Sequence, residues 1–221
     1  MMQSITIPLT SGHGRHVQAR FDDVAGSELA VILPGLRYGC ERPLLSGITG
    51  IFQDRGCDIA RLIFGYSGDT RFLDADDDTQ FAQIATDGCD IIGNLVGFKH
   101  YQRVWIIGKS LGTVSMGAAL SERTFQTDCV RAVWLTLSLI GTPLLGQLLA
   151  QNHTSIVVIA TQDPSFRPEL IDPLEAAPNV VVRPIQGANH GFEHSGGADA
   201  SNEVVSEAVQ AVATWVHRQA E

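Results

Sequence analysis

The chain has 221 residues, of which 44% are hydrophobic and 18% are charged, and its formal net charge is −9 at pH 7. This length and composition are typical of one globular α/β domain covering residues 1–221. The acidic charge argues against nucleic acid or an anionic membrane as a partner, because counterion-driven binding needs clustered Lys and Arg.

The sequence also argues against export, membrane insertion and structural zinc. Residues 1–10, MMQSITIPLT, lack the basic and apolar regions of a signal peptide. No apolar run approaches the about 20 residues of a membrane span. The cysteines are widely spaced and form no C-x-x-C pair, so they indicate neither a zinc site nor a disulfide framework; they are Cys40, Cys57, Cys89 and Cys129. We therefore expect reduced thiols and a cytoplasmic location.

The first half of the chain alternates strand-like and helix-like segments. Residues 4–9 and 16–22 show partial strand alternation around a turn at 13–15, which predicts an antiparallel N-terminal hairpin. Residues 29–35, LAVILPG, form a continuous apolar run ended by Pro-Gly, which is typical of a strand buried on both faces. The next predicted elements are a helix at 44–55, a strand at 57–66 and a helix over 76–98, with Phe81, Ile84, Gly88, Ile91 and Leu95 on one face.

The second half continues this alternation. Its predicted elements are a strand at 103–107, a helix from Leu111, strands at 130–139, 155–163 and 179–185, a short helix at 144–151, and a final helix with Val205, Val209, Val212 and Val216 on one face. Such alternation predicts an α/β fold with a mostly parallel sheet and helices on both faces. Ligands bind at the carboxyl ends of the strands in such sheets. Four loops there, LPGLRYG, GKSLG, ATQDPSF and GANHGF, are therefore the candidates for a site.

The candidate nucleophile is Ser110, in the sequence GKSLG between a predicted strand and a predicted helix. Gly108 and Gly112 have no Cβ and leave room for a tight turn. A strand–turn–helix context is what a nucleophile elbow requires, and the helix N-terminus favours developing negative charge. The alternative is a tight turn in which the serine only caps the helix.

A serine hydroxyl needs a base to accept its proton, and we assign this role to His190 in GANHGF. His190 follows the last predicted strand, in a loop flanked by Ala, Asn and Gly. The main rival is His194, four residues further along. The remaining histidines lie in the hairpin, after helices or in the final helix: His13, His16, His100, His153 and His217.

The predicted third member is Asp163 in ATQDP, which closes a strand and would orient the imidazole. Its alternative role is a simple Asp-Pro turn, for which aspartate is equally suited. Asp172 also precedes a proline but ends no strand. Glu193 is too near His190 in sequence to be the first choice.

The order Ser110, Asp163, His190 resembles that of the α/β-hydrolase superfamily. The resemblance covers nearly the whole chain, from residues 29–34 to the last helix. GANHGF is similar to the histidine loop of dienelactone-hydrolase-like and carboxylesterase-like members, although strict dienelactone hydrolases use a cysteine nucleophile. The resemblance implies the α/β-hydrolase fold without a cap domain, since only one short helix fits between the strands at 130–139 and 155–161.

The resemblance also implies an oxyanion hole formed by the backbone N–H groups of Leu111 and Leu36. Pro34 stands where many relatives carry His, but the donors are backbone groups. The alternative for this loop is an ordinary strand-ending turn. Five residues in predicted loops or strand ends at this edge could line a substrate pocket, although each could equally belong to the hydrophobic core. They are Tyr38, Tyr66, Leu139, Ile140 and Phe166.

Two groups of charged residues give weaker signals. Arg37 and Arg42 would suit an anionic substrate group, but a solvated surface role fits them better. Residues 74–78, DADDD, precede a predicted helix, where acidic side chains suit the positive end of the dipole. We interpret them as a helix start rather than a metal site, and we expect neither a metal nor a cofactor.

These residues predict a serine hydrolase that cleaves small to medium carboxylic esters or thioesters through an acyl-enzyme. Its expected partner is the small-molecule substrate, and the sequence leaves the oligomeric state open. Amide hydrolysis or acyl transfer on the same scaffold, and a non-catalytic binding module, remain alternatives because a fold does not fix a function.

Overall fold

The computed structural model describes residues 3–10, 16–122 and 130–219, and the strands in this part of the chain form one eight-stranded sheet. They are β1 (Gln3–Thr10), β2 (His16–Asp23), β3 (Glu28–Leu33), β4 (Asp58–Ile63), β5 (Arg103–Ser110), β6 (Val130–Leu137), β7 (Thr154–Ala160) and β8 (Val180–Ile185). Their order across the sheet is β1-β2-β4-β3-β5-β6-β7-β8.

The pairing confirms the predicted mostly parallel sheet with antiparallel N-terminal strands. β1 pairs antiparallel with β2, and β2 pairs antiparallel with β4, whereas all pairings among β3 to β8 are parallel. The carboxyl ends of the parallel strands therefore lie along one edge. The turn predicted at 13–15, His13 and Cys129 lie outside the described residues, while Cys40, Cys57 and Cys89 are buried free thiols.

Helices cover both faces of the sheet, as predicted. They are α1 (Pro43–Asp54), α2 (Thr70–Leu73), α3 (Asp77–Val96), α4 (Leu111–Ser121), α5 (Leu144–Leu149), α6 (Pro168–Glu175) and α7 (Ala198–Arg218). One core contains side chains of α1 and α7, and the other contains side chains of α3, α4, α5 and α6. The described residues include no helix that is long and apolar enough to cross a membrane. The segment between β6 and β7 holds only α5, so the fold has no cap domain.

Several element boundaries differ from the predicted ones. The strand predicted at 57–66 ends at Ile63, and a 3₁₀ helix (Tyr66–Gly68) follows it. The sequence pattern missed α2, which has a single turn, and α6, because Pro173 lies inside that helix. In α7 the buried face is centred on Val204, Ala208, Val212, Trp215 and Val216, while Val205 and Val209 are only partly buried.

The acidic run at 74–78 starts α3, as predicted. Asp76 is the N-cap, and its carboxylate accepts a hydrogen bond from the Thr79 N–H at 2.8 Å. Asp77 and Asp78 occupy the first turn, where their charge complements the helix dipole.

The helix that follows Ser110 packs very closely against α3. A Cβ atom added at Gly88 of α3 would lie 2.5 Å from Cβ of Ser115 in α4. Only glycine therefore allows this helix contact without displacement. Because α4 begins directly after Ser110, the contact also fixes the direction of the turn that presents the serine.

Gly88→Ala and Gly93→Ala should change stability in opposite directions, although both replace a glycine of α3. The methyl group at Gly88 would overlap Ser115, and overpacking of this kind costs about 1–3 kcal/mol. At Gly93 an added Cβ meets no atom within 4 Å, so alanine should stabilise the helix by about 0.5–1 kcal/mol. The free energy of unfolding from denaturant titration measures both effects. A stabilised Gly88→Ala variant would contradict the described helix contact.

Candidate active site

Ser110 has a strained backbone at the junction between β5 and α4. Its φ of 50° and ψ of −119° lie in a region that non-glycine residues rarely adopt. Such a conformation costs on the order of 1–3 kcal/mol and persists only where the surroundings impose it. The strand on one side and the helix on the other impose it here.

Two glycines make this turn sterically possible. A Cβ atom at Gly112 would lie 2.4 Å from the Leu33 carbonyl oxygen, at the end of β3. A Cβ atom at Gly108 would lie 2.9 Å from the Gly112 carbonyl oxygen. Gly112 thus lets the serine turn lie directly against the end of β3, and Gly108 lets the start of α4 lie directly against β5. A side chain at either position would prevent this turn.

Thr113 holds the turn from inside. Its hydroxyl donates to the Ser110 carbonyl at 2.6 Å and accepts from the Ser138 N–H at 3.2 Å. The side chain is fully buried. One hydroxyl therefore connects the serine turn to the segment that leaves β6.

The structure brings the three predicted side chains together in one chain of hydrogen bonds. Nε2 of His190 lies 2.8 Å from Oγ of Ser110, and Nδ1 lies 2.6 Å from Oδ2 of Asp163. Because the carboxylate can only accept, Nδ1 carries the proton and Nε2 accepts from the serine hydroxyl. Ser110 and His190 are 80 residues apart in sequence, and His190 and Asp163 are 27 apart.

Asp163 is rigidly held, whereas His190 is open to solvent. The Asp163 side chain is 1% exposed, and its second oxygen accepts from the Ser165 N–H at 2.7 Å. The His190 side chain is 44% exposed. Asn189 shapes the histidine loop by accepting from the backbone N–H groups of Gly191 and Glu193.

The rival residues have other positions. His194 accepts from the Gly196 N–H at 2.9 Å through Nδ1, and its backbone N–H donates to the Ser201 hydroxyl in α7. It therefore braces the start of α7. Asp172 is exposed in α6, and Glu193 is exposed in the histidine loop.

The two predicted oxyanion residues belong to two segments that meet at Ser110. Leu111 is the first residue of α4, directly after the serine. Leu36 belongs to the loop after β3, which passes close to Ser110, since a Cβ atom at Gly35 would lie 3.3 Å from Cβ of Ser110. The Gly35 N–H donates to the Tyr38 carbonyl within this loop. The role of Leu36 and Leu111 as donors stays a prediction.

A cleft of about 430 Å³ runs beside this loop, between the segments that follow β3 and β4. Of the predicted pocket residues, Tyr38 and Tyr66 line it, together with Arg37. Tyr66 is almost fully buried and donates to Oδ2 of Asp87 at 2.8 Å. The other predicted pocket residues lie elsewhere: Leu139 is buried in the core, Phe166 packs partly buried against the same core, and Ile140 is 48% exposed.

A larger cavity of about 710 Å³ lies away from these residues, between β8 and the end of α7. Its lining includes Thr154 and Asn179, which lie at or just before the amino ends of β7 and β8. Those strand ends are at the sheet edge opposite Ser110. The smaller cleft is lined by Gly35 and Leu36, from the loop beside Ser110, but not by Ser110, Asp163 or His190 themselves. We therefore associate this cleft, not the larger cavity, with the surroundings of the candidate site.

Sequence reasoning missed Lys109, the residue directly before the serine. It is 1% exposed, and its ammonium group contacts His190 and Thr136 through hydrogen bonds of 3.0 and 3.2 Å. Burial lowers the pKa of Lys109 to about 8, while the negative charge of Asp163 acts in the opposite direction. The sequence feature that could have drawn attention to Lys109 is its position at the end of an apolar strand, in a chain with only one other lysine, Lys99.

Comparison with known proteins identifies the fold. No family model matches the sequence, and no curated protein matches it. Among solved structures, Est1E from Butyrivibrio proteoclasticus has a TM-score of 0.71 at 14% identity, covering 97% of this chain and 98% of that one. A dienelactone hydrolase from Anabaena variabilis has a TM-score of 0.71 at 15% identity, covering 98% of both chains.

A third similar structure is XC6422 from Xanthomonas campestris, described as an α/β serine hydrolase without a lid. Its TM-score is 0.65 at 14% identity, and the alignment covers 94% of both chains. At these identities the likeness shows the fold. It confirms the α/β-hydrolase fold without a cap that the sequence predicted.

Thr113→Val should destabilise the protein more than Thr49→Val does. Both threonines are buried in helices, and both hydroxyls donate to a carbonyl. The Thr113 hydroxyl also accepts from the Ser138 N–H, so its loss leaves that donor unpaired at a cost of about 1–3 kcal/mol. Denaturant unfolding of the two variants compares these costs. Equal losses would mean that the Ser138 contact contributes nothing to stability.

Proposed function

We propose that this chain is a serine hydrolase that cleaves carboxylic ester or thioester bonds of small to medium substrates. The observation that carries the proposal is the unbroken chain of hydrogen bonds from Ser110 through His190 to Asp163, at 2.8 and 2.6 Å. A nucleophile, a base and a group that orients the base are the parts that acyl transfer requires.

In the proposed first step, Ser110 Oγ attacks the carbonyl carbon of the substrate while Nε2 of His190 accepts the hydroxyl proton. The resulting imidazolium is stabilised by the buried carboxylate of Asp163. The same imidazolium then gives its proton to the leaving alcohol or thiol, and an acyl-enzyme remains on Ser110. Water then attacks this ester with His190 again acting as the base. The bond between Ser110 Oγ and the acyl carbon breaks, Oγ takes the proton back from His190, and the carboxylic acid leaves.

The oxyanion of each tetrahedral intermediate is assigned to the backbone N–H groups of Leu111 and Leu36. The N–H of Leu111 lies at the start of α4, where the helix dipole favours negative charge. In another hydrolase, removal of one oxyanion donor cost about 2.7–4 kcal/mol of barrier. The roles of nucleophile, base, orienting carboxylate and oxyanion donor are all assigned to groups of the chain itself.

The openness of the site supports the proposed small to medium substrates. No cap covers the strand ends, the base is 44% exposed, and a cleft of about 430 Å³ begins beside the loop of Leu36. Similar structures described as a dienelactone hydrolase and as a serine hydrolase without a lid support this reaction class. A cytoplasmic location, expected from the sequence, belongs to the same proposal.

Labelling with a fluorophosphonate probe tests the nucleophile. The wild-type protein should become covalently labelled, and Ser110→Ala should lose labelling because no hydroxyl remains beside His190. Ser121→Ala, which changes an exposed serine at the end of the same helix, is the matched control and should label like the wild type. A wild-type protein that never labels, as expected of a mere binding module, would contradict the proposal.

Asp163→Asn should lower kcat by roughly 10³- to 10⁴-fold, because an amide favours the wrong tautomer of the imidazole. Asp172→Asn is the control, since this aspartate also precedes a proline but is exposed in α6. It should retain wild-type activity. The assay uses nitrophenyl esters, acyl thioesters and anilides of graded length, which also separates ester from amide cleavage. Equal activity of both variants would remove Asp163 from the mechanism.

A further inference from the structure

Lys109 is a buried cation whose contacts come from three separate segments of the chain. Its Nζ donates to the His190 carbonyl at 3.0 Å and to the Thr136 hydroxyl at 3.2 Å. It also lies over the Tyr38 ring, 4.4 Å from the ring centroid. The three donors of the ammonium group thus face two oxygens and one aromatic face.

Each contact belongs to an element of the candidate site. The His190 carbonyl is on the backbone of the proposed base itself. Tyr38 is in the loop after β3 that carries Leu36. Thr136 is the extra residue of a bulge in β6, since Lys109 pairs with Leu135 while Ser110 pairs with Leu137.

The bulge brings the Thr136 hydroxyl towards the lysine. Thr136 is fully buried and has a φ of 43°, a conformation that β-branched residues rarely adopt. Bulges are frequent beside active sites, where they redirect a side chain. Both Ser110 and Thr136 are therefore strained. Lys109 precedes Ser110 in β5 and donates to Thr136 in the neighbouring β6.

We propose that Lys109 is a positioning residue, whose ammonium group ties the histidine loop to the β6 bulge and to the loop after β3, and so holds the His190 ring against Ser110. Burying a cation is costly, and an apolar side chain of similar length would fill the same volume without that cost. A buried lysine at this position is explained if its hydrogen bond to the His190 carbonyl is needed to hold the His190 ring in place. The activity measurements below depend on the proposed hydrolase function.

Displacement of a base by about 1 Å can lower a rate by roughly 10²-fold. Lys109→Met removes the ammonium group and keeps most of the stem. It should lower kcat by roughly ten- to a hundredfold and leave KM within about twofold, because the lysine is buried and not exposed to dissolved compounds. Lys99→Met is the matched control, since this half-buried lysine pairs with Asp58 at the opposite sheet edge. Its kcat should equal that of the wild type.

The pH profile distinguishes positioning from simple packing. The groups that face the ammonium are Tyr38, Thr136, His190 and the charge of Asp163. Burial lowers the pKa of Lys109 to about 8. Above that pH the ammonium becomes a neutral amine, which loses the cation–π contact with Tyr38 and donates more weakly to the His190 carbonyl. The wild-type kcat should therefore fall above pH about 8, and this alkaline decrease should be absent in Lys109→Met.

Nuclear magnetic resonance tests the geometry without any substrate. The chain has only two lysines, so Lys99→Met identifies the side-chain nitrogen signal of Lys109 and its titration. In Lys109→Met the His190 ring signals, including the proton shared with Asp163, should shift or broaden. Because this readout needs no turnover, it remains informative if the protein hydrolyses nothing.

Two results would overturn the proposal. One is a folded Lys109→Met with wild-type kcat, and the other is a Lys109→Met with unchanged His190 ring signals. If this variant does not fold, Thr136→Val removes one oxygen contact and keeps the charge. It should lower kcat by roughly three- to tenfold, which corresponds to the loss of one hydrogen bond of ordinary strength, because the contact with the His190 carbonyl remains. An unchanged kcat and unchanged His190 signals in Thr136→Val would overturn the proposal equally.

Discussion

The close approach of the serine turn to the end of β3 is the constraint on which the site depends. Gly112 lies against the Leu33 carbonyl so tightly that no side chain fits between them. This contact brings the loop after β3 beside Ser110 and forces the serine into a conformation that its own preference disfavours. Thr113 and the contact of α4 with α3 then hold the helix from the other side.

The strand order turns distant sequence positions into neighbours. β5 lies between β3 and β6, and β7 and β8 follow on one side. The loops after β5, β7 and β8 therefore share one sheet edge, where Ser110, Asp163 and His190 meet. The opposite edge holds charged networks with a structural character, such as Glu28, which accepts from Arg55 and Trp105. The ion pairs at one edge thus lie apart from the proposed catalytic residues at the other.

Most of the fold and the three hydrogen-bonded side chains of the candidate site could be predicted from the sequence. The reason is that apolar strand segments followed by small or polar residues are easy to recognise. Ser110, Asp163 and His190 each stand at such an ending. The pattern could not reveal that Tyr66 would be buried, since its partner Asp87 comes from α3. It also could not reveal Lys109, because a lysine beside a loop is usually solvated and its partners lie 27 and 81 residues further along the chain.

The distribution of the two lysines has a practical consequence for handling the protein. Lys109 is enclosed, whereas the Lys99 side chain is 37% exposed and pairs with Asp58 at the amino end of β4. Of the two lysine side chains, reagents that acylate amines should therefore modify Lys99 and leave Lys109 unmodified. A dye or a solid support attached in this way would sit at the far end of the molecule from His190, and the cleft would stay accessible to dissolved compounds.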